Sequence, residues 1–176
     1  MKRKVELATH NPNWAQGYEA EAERLTAVFQ SHLCAIHHIG STAVPGIKAK
    51  PIIDILIEVA DIECVDGVNA AMGELGYIAK GENGIEGRRY FRRGSDVHHT
   101  HHIHVYQTGH PEIVRHLNFR DYLIANPPVA QAYSRLKEEL ARQFRTDTAR
   151  YTSNKSDFIQ DVNAKAAVWR GDKGTD

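Results

Sequence analysis

The sequence predicts an α+β protein with a mixed β-sheet, flanking helices and a helical C-terminal part. Two observations carry this prediction. Short apolar runs bounded by glycine, proline or serine precede Pro111 and are typical of strands, whereas apolar residues beyond Pro111 recur at helical spacing. A length of 176 residues suits one domain. We therefore expect residues 1–176 to form a single domain.

The elements follow in order from apolar spacing and from capping and turn residues. A first helix opens at Asn11-Pro12-Asn13, because apolar side chains recur at steps of three and four as far as Phe29. A second helix is expected between a cap at Asp61 and a stop at Gly76. Strands are predicted at Leu33–Ile39, Pro51–Val59, Tyr77–Ile78, Arg88–Arg93 and Val97–Gln107. The C-terminal helices are predicted to begin at Pro111, at Val129 and at Ser153 or Ser156.

Composition excludes several classes of function. The 22 lysines and arginines are balanced by 22 aspartates and glutamates, which argues against a general nucleic-acid or membrane-surface binder because such proteins need a basic excess. The N-terminus lacks the apolar stretch of a signal peptide. Cys34 and Cys64 cannot form a disulfide framework and are expected to be buried free thiols. We expect a cytoplasmic protein without a membrane partner, and the oligomeric state stays open.

The first candidate site is the turn Gly40-Ser41-Thr42, directly after the predicted strand Leu33–Ile39. Such a turn exposes backbone N–H groups, and glycine allows a phosphate to approach closely. The two hydroxyls add donors, and we expect Lys50 near the same phosphate. The turn is not a P-loop, because the Gly-Lys-Ser/Thr triplet is missing. The alternative is a tight turn with a purely structural role.

The second candidate is Asp54, in the middle of the apolar strand Pro51–Val59. An unpaired carboxylate is costly there, so Asp54 needs a metal ion, a cation or hydrogen-bond donors. The alternative to a functional site is a structural salt bridge to a lysine or an arginine.

Together the two segments resemble the nucleotidyltransferase superfamily, in which a strand ending in Gly-Ser is followed by a loop and a strand with an acidic residue. The stretch from Ile39 to Ile55 is similar to the hallmark of the GrpB family, a nucleotidyltransferase-like group. Further pieces resemble this family in order along the chain: Pro12-x-Trp14, Arg89-Tyr90-Phe91, His102-Ile103-His104-Val105, Leu117–Leu123 and Tyr151-x-x-x-Lys155-x-x-Phe158-Ile159. The resemblance implies a nucleotidyltransferase-like sheet and a nucleotide or phosphorylated small molecule as partner.

The carboxylate set that the superfamily usually carries is incomplete here. Active nucleotidyltransferases place two acids two residues apart on the strand, with a third on a neighbouring strand, to hold two divalent cations. In this chain Leu56 stands two residues after Asp54. Glu58, the next acid on that face, lies about 13 Å away along an extended strand, too far to share one ion. Nucleotidyl transfer therefore does not follow from the resemblance alone.

Two histidines are predicted to complete the site. His102 and His104 share one face of the predicted strand Val97–Gln107, and the resemblance places them where relatives carry their third acid. With Asp54 they would bind Zn²⁺ or Mn²⁺ better than Mg²⁺, so one of these divalent cations is the candidate cofactor. Alternatively, one histidine acts as a general acid or base, or the pair forms a polar ladder facing solvent or a helix.

A third group of candidates is basic. It comprises Arg88, Arg89, Arg92, Arg93, Arg120 and Lys155. Arginine binds phosphate through two parallel hydrogen bonds, and we assign Arg89 to phosphate binding. Because side chains alternate along a strand, at most half of the hairpin arginines face one site. Solvation at the surface is the alternative, and Arg120 is expected to form an ion pair with Asp121.

Three functions fit these residues. The first is an enzyme of nucleotidyl or phosphoryl transfer, with Asp54, His102 and His104 as catalytic and metal-binding residues. The second is a binding module that keeps the nucleotide pocket without catalysis, which Leu56 favours. The third is a metal-dependent hydrolase of a phosphorylated small molecule. The sequence does not decide among them.

Overall fold

The computed structural model describes residues 3–173 and confirms the α+β class, with a mixed sheet, flanking helices and a helical C-terminal part. The strands are β1 (Leu33–Ile39), β2 (Ile53–Val59), β3 (Tyr77–Ala79), β4 (Arg88–Gly94) and β5 (His99–Gln107). The helices are α1 (Asn13–Phe29), α2 (Asn69–Glu74), α3 (Pro111–Ala125), α4 (Pro127–Gln143) and α5 (Thr148–Lys173). Within residues 3–173, no helix is both long and apolar enough to cross a membrane.

The chain divides into two compact units, and each unit is formed by segments that are separated in the sequence. The sheet unit contains Pro12–Ile39 and Ile52–Ile113. The helical unit contains Gly40–Pro51 together with residues 3–11 and 114–173 of the described chain. A single domain over residues 1–176 stays a prediction.

The sheet of the first unit has the strand order β1-β2-β5-β4-β3. Only β2 and β5 pair in parallel among its four pairings, which makes the sheet mixed. Alternation along β2 sends Ile53, Ile55 and Ile57 into an apolar core with Leu25 and Phe29 of α1. Asp54, Leu56 and Glu58 therefore point to the opposite face, as the sequence predicted.

The helical unit has its own apolar core, to which α3, α4 and α5 contribute. The segment Gly40–Pro51 lies along α4 and is fixed to it by side chains at helical spacing. The Gln131 amide donates to the Gly46 carbonyl at 3.0 Å, and the Lys48 N–H donates to Ser134 Oγ at 2.9 Å. The loop that carries the predicted phosphate turn is thus held in a defined position at its C-terminal end.

Four predicted element starts differ from the structure: β2 begins at Ile53 and not at Pro51, α4 begins at Pro127 and not at Val129, and the starts of α5 and β5 differ for local reasons. Helix α5 begins at Thr148 and not at Ser153 or Ser156, since Asp147 accepts a hydrogen bond from the Arg150 N–H at 3.1 Å and satisfies the first turn. Strand β5 begins two residues after Val97, because Ser95 and His98 close the preceding turn with hydrogen bonds of 2.9 and 3.0 Å.

Two further expectations differ from the structure. The Asp61 cap is confirmed by its 3.0 Å hydrogen bond from the Glu63 N–H, but the segment after it is a 3-10 helix over Ile62–Val68 before α2 begins. Gly67 lies in this segment, and glycine disfavours an α-helix. Cys34 is exposed and not buried, because its side chain lies on the solvent side of an edge strand, and Cys64 is half-buried.

Candidate functional site

The register of the two central strands brings the predicted site residues together. Asp54 on β2 lies opposite His102 on β5, and Leu56 lies opposite His104. Because side chains two residues apart share a face, Asp54, His102 and His104 all point to the same side of the sheet. We call these three residues the Asp54 site, and the structure confirms that they share one face of the sheet.

One oxygen of Asp54 faces both imidazoles. Asp54 Oδ1 lies 3.2 Å from His104 Nε2 and 3.5 Å from His102 Nδ1. Burial by itself would raise the pKa of Asp54, but hydrogen bonds from the two histidines and their positive charge hold that pKa well below its ordinary value of 3.8. Asp54 is therefore an anion at neutral pH, with imidazole N–H groups as its donors.

Arg88 reaches the second ring nitrogen of His104. Arg88 Nη1 lies 3.5 Å from His104 Nδ1, and a guanidinium group only donates hydrogen bonds. This contact leaves Nε2 as the nitrogen of His104 that faces Asp54. Arg88 is buried and is itself held by the carbonyls of Glu82 at 3.0 Å and Asn83 at 2.7 Å.

His102 lies at the end of a second chain of hydrogen bonds. Its Nε2 lies 2.9 Å from His99 Nδ1, while its Nδ1 faces Asp54. The Tyr90 ring packs against both site histidines, with centroid distances of 5.6 Å to His102 and 5.3 Å to His104. The carboxylate, two imidazoles, a phenol ring and a guanidinium thus form one connected group on a single sheet face.

The donor atoms suit a cation in their chemistry but not in their present arrangement. One carboxylate oxygen and two imidazole nitrogens are ligands that Zn²⁺ and Mn²⁺ accept. Among residues 3–173, however, no group of three or more His, Cys, Asp or Glu side chains is arranged to hold a metal ion. A cation bound there would compete with protons for the two imidazole nitrogens that face Asp54.

The predicted phosphate turn belongs to the helical unit. Gly40 has a φ of 74°, a conformation that favours glycine, and Ser41–Ala43 form one 3-10 turn closed by the Val44 N–H donating to the Ser41 carbonyl at 3.1 Å. Thr42 is buried. The structure confirms a tight turn at the predicted place, and phosphate binding there stays a prediction.

Lys50 and Arg89, the two predicted phosphate cations, lie in different units. The ammonium group of Lys50 lies 4.5 Å from the centre of the Tyr151 ring. Arg89 points to the sheet face opposite Asp54 and pairs with Asp66 at 2.9 Å. The structure therefore brings Arg88, not Arg89, to the Asp54 site.

Sequence reasoning missed three features. The sequence identified Arg88 only as one of four arginines of the predicted hairpin and did not place it at the Asp54 site. His37 and Glu58 form a pair at 2.7 Å, four residues along β2 from Asp54 and on the same sheet face. Lys137 is buried on α4, and a lysine at apolar helical spacing with Tyr133 and Leu140 was the signal that could have revealed it.

Comparison with known proteins agrees with this architecture. The chain is 48% identical over 169 residues to the UPF0157 protein YqkA of Bacillus subtilis, covering 96% of this chain and 49% of YqkA. It therefore spans about half the length of that relative. The glutamate-rich protein GrpB of Alkalihalophilus pseudofirmus is 35% identical over 92% of this chain and 95% of its own length.

A solved structure is similar over almost the whole fold. The crystal structure of the conserved protein GrpB from Enterococcus faecalis superposes with a TM-score of 0.88 at 40% identity, covering 92% of this chain and 96% of that one. The family model described as GrpB protein matches residues 4–165, which include both candidate segments. The chain therefore belongs to the GrpB family.

Proposed function

We propose that this chain is a nucleotidyltransferase-like protein that binds a nucleotide or another phosphorylated small molecule and acts on its phosphate groups at the Asp54 site. The observation that carries the proposal is the position of one Asp54 oxygen 3.2 and 3.5 Å from two imidazole nitrogens. A carboxylate so placed orients an imidazole and stabilises the imidazolium that forms when the ring accepts a proton.

The arrangement assigns different roles to the two histidines. His104 has one nitrogen facing Asp54 and the other facing Arg88, so it positions the carboxylate. His102 is the proposed general base, a role in which its Nε2 exchanges the 2.9 Å contact with His99 Nδ1 for the reacting hydroxyl. The hydroxyl oxygen of water or of an acceptor forms a bond to phosphorus, and its proton passes to His102. The bond between phosphorus and the leaving oxygen breaks, that oxygen keeps the electron pair, and the His102 proton then neutralises it.

Phosphate binding is proposed for Gly40, Ser41, Thr42 and Lys50. Support comes from Gly40, which has a positive φ and no side chain to keep a phosphate away, and from the half-buried Lys50 in the same segment. Ser41→Ala combined with Lys50→Ala should weaken nucleotide binding at least tenfold, as isothermal titration measures. Equal binding of ATP, GTP, CTP and UTP to both proteins would place the nucleotide elsewhere.

The test of the reaction uses two carboxylates of one strand. Asp54→Asn removes the charge of the Asp54 site, and Glu58→Gln is its matched control on the same face of β2. The four nucleotides are incubated with each protein and Mg²⁺ or Mn²⁺, and released phosphate, diphosphate and transferred nucleotide are quantified. We expect Asp54→Asn to lose at least 100-fold in turnover and Glu58→Gln to keep it. Undiminished turnover in Asp54→Asn would refute the proposal.

The same assay identifies the non-catalytic alternative. Nucleotide binding by the wild type with no turnover under any condition would establish a binding module, in agreement with Leu56 at the position of the second acid. Neither binding nor turnover with any of the four nucleotides would overturn both versions.

A metal-dependent phosphohydrolase is the second candidate. The donor set favours it, because one carboxylate and two imidazole nitrogens within 3.5 Å of it are ligands that a zinc ion accepts, and these side chains would rearrange around the ion. Mass spectrometry of wild type, Asp54→Asn and His104→Ala decides the matter. Metal in the wild type alone, lost as the pH falls through roughly 6.5, would support a cation held by Asp54, His102 and His104. Background metal in all three would exclude it.

A further inference from the structure

Three lysines converge on two aromatic rings in the helical unit. The ammonium groups of Lys50 and Lys155 each lie 4.5 Å from the centre of the Tyr151 ring, and that of Lys137 lies 4.6 Å from the centre of the Tyr133 ring. We call Lys50, Lys137 and Lys155 the lysine cluster. Its members come from the loop after β1, from α4 and from α5, so the tertiary fold assembles it.

Lys137 is the buried member of the cluster. Only 2% of its surface is exposed, and its ammonium group donates a hydrogen bond to the carbonyl of Lys48. The Lys48 side chain is paired with Glu138, on the turn of α4 beside Lys137. A buried lysine that donates to a carbonyl gains little for its desolvation, so stability alone gives no reason to keep it charged.

The surroundings of Lys137 disfavour its positive charge. Burial, together with the smaller effect of the positive charges of Lys155 and Lys50, lowers the pKa of Lys137 to about 7. Other titratable groups whose contacts place them around the cluster are Tyr133, Tyr151 and the Lys48–Glu138 pair. A negatively charged ligand beside the cluster would reverse the repulsion among its lysines.

We propose that the lysine cluster binds an anion with at least two negative charges, of the class of a diphosphate or triphosphate chain. The half-buried Lys50 and Lys155 would contact the anion directly. The buried Lys137 would attract it through its positive charge without touching it. The proposal rests on the proposed function for its ligand class and narrows it to linked phosphates, because a chain with more negative charges gains more from several ammonium groups than a single phosphate does.

Binding of such an anion has a second consequence. An anion favours the charged form of Lys137, so a protein that is partly deprotonated near pH 7 takes up a proton when it binds. Affinity should therefore rise as the pH falls from about 8 to about 6. Inorganic triphosphate itself loses negative charge as the pH falls, and this loss makes the expected rise in affinity smaller.

The experiment measures binding of inorganic triphosphate, diphosphate and monophosphate by titration calorimetry in two buffers of different ionisation enthalpy. Lys137→Met removes the buried charge, and Lys165→Met is the control, an exposed lysine of α5 paired with Asp161 at 2.8 Å. We expect wild type and Lys165→Met to bind triphosphate more tightly than monophosphate with proton uptake. Lys137→Met should bind at least tenfold more weakly at about pH 6 and take up fewer protons than wild type.

Unchanged affinity and proton uptake in Lys137→Met would overturn the proposal, as would an absence of binding by the wild type. Should Lys137→Met fail to fold, Lys155→Met provides the same comparison with a half-buried lysine. Asp54→Asn separates this proposal from the proposed function, because it should lose turnover and keep triphosphate binding. Loss of turnover in Asp54→Asn together with wild-type binding in Lys137→Met would reject the lysine cluster alone.

Discussion

Replacing Lys137 with methionine should stabilise the protein in a pH-dependent way. In the unfolded chain Lys137 keeps its proton up to its ordinary pKa of 10.5, whereas in the folded chain that pKa is lowered to about 7. Between these two pKa values the unfolded state binds more protons than the folded state. The contribution of Lys137 to the free energy of unfolding of the wild type therefore rises with pH. At 1.36 kcal/mol per pH unit, the whole window corresponds to about 5 kcal/mol as an upper figure.

Methionine has a similar unbranched shape and no charge, so it fills the site at the cost of the hydrogen bond to the Lys48 carbonyl, about 1 kcal/mol. Below about pH 7 we expect Lys137→Met to be more stable than wild type by several kcal/mol. This advantage should shrink steadily toward about pH 9.

Urea unfolding of wild type, Lys137→Met and the exposed control Lys165→Met, at a series of pH values from about 6 to about 9, gives the three stability curves. The difference in free energy of unfolding between wild type and Lys137→Met should change with pH, whereas the difference between wild type and Lys165→Met should stay constant. Parallel curves for these two proteins would mean that Lys137 titrates as an ordinary lysine, and the reasoning from its burial would be wrong.

Three further changes have expected outcomes. Glu21→Gln should lower stability by about 3 kcal/mol in thermal or urea unfolding, because the buried Glu21 accepts a 2.7 Å hydrogen bond from the Tyr77 hydroxyl and pairs with an arginine; no loss would show that the pair is dispensable. Gly94→Ala should lower the melting temperature by several degrees, since Gly94 has a φ of 110° and a Cβ there would overlap the His98 carbonyl; an unchanged melting temperature would contradict this geometry. Asp54→Asn should lower the free energy of unfolding by about 1–3 kcal/mol above about pH 4. The depressed pKa of Asp54 contributes stability above its unfolded value of 3.8, and this stability is lost as the pH falls through the folded pKa. A difference between the two proteins that persists in acid would point to packing as its cause.

Much of the fold follows from local spacing. Alternation in β2 puts Ile55 in the core and Asp54 on the opposite face, and this depends only on the two-residue repeat of an extended chain. The same repeat places His102 and His104 together on β5. The two-residue repeat thus identified which side chains share a face within each strand, and the family resemblance placed the two histidines beside Asp54.

The choice between neighbouring residues needed the tertiary structure. Arg88 and Arg89 point to opposite faces of β4, and only the register with β5 decides that Arg88 faces His104. A slip of one residue would exchange them, because it moves every side chain to the other face. That register results from pairing between segments distant in sequence, which local spacing does not encode.

The lysine cluster shows the same limit. Lys137 stands at an apolar position of α4, so the sequence contains a signal for its burial. Its neighbours Lys50 and Lys155 lie far from it along the chain and meet it only where the loop after β1 and helix α5 pack against α4. The sequence by itself determined which residues carry charge and which faces are apolar. Only the packed structure decided which charges share one environment, because the electrostatic energy depends on distance in space.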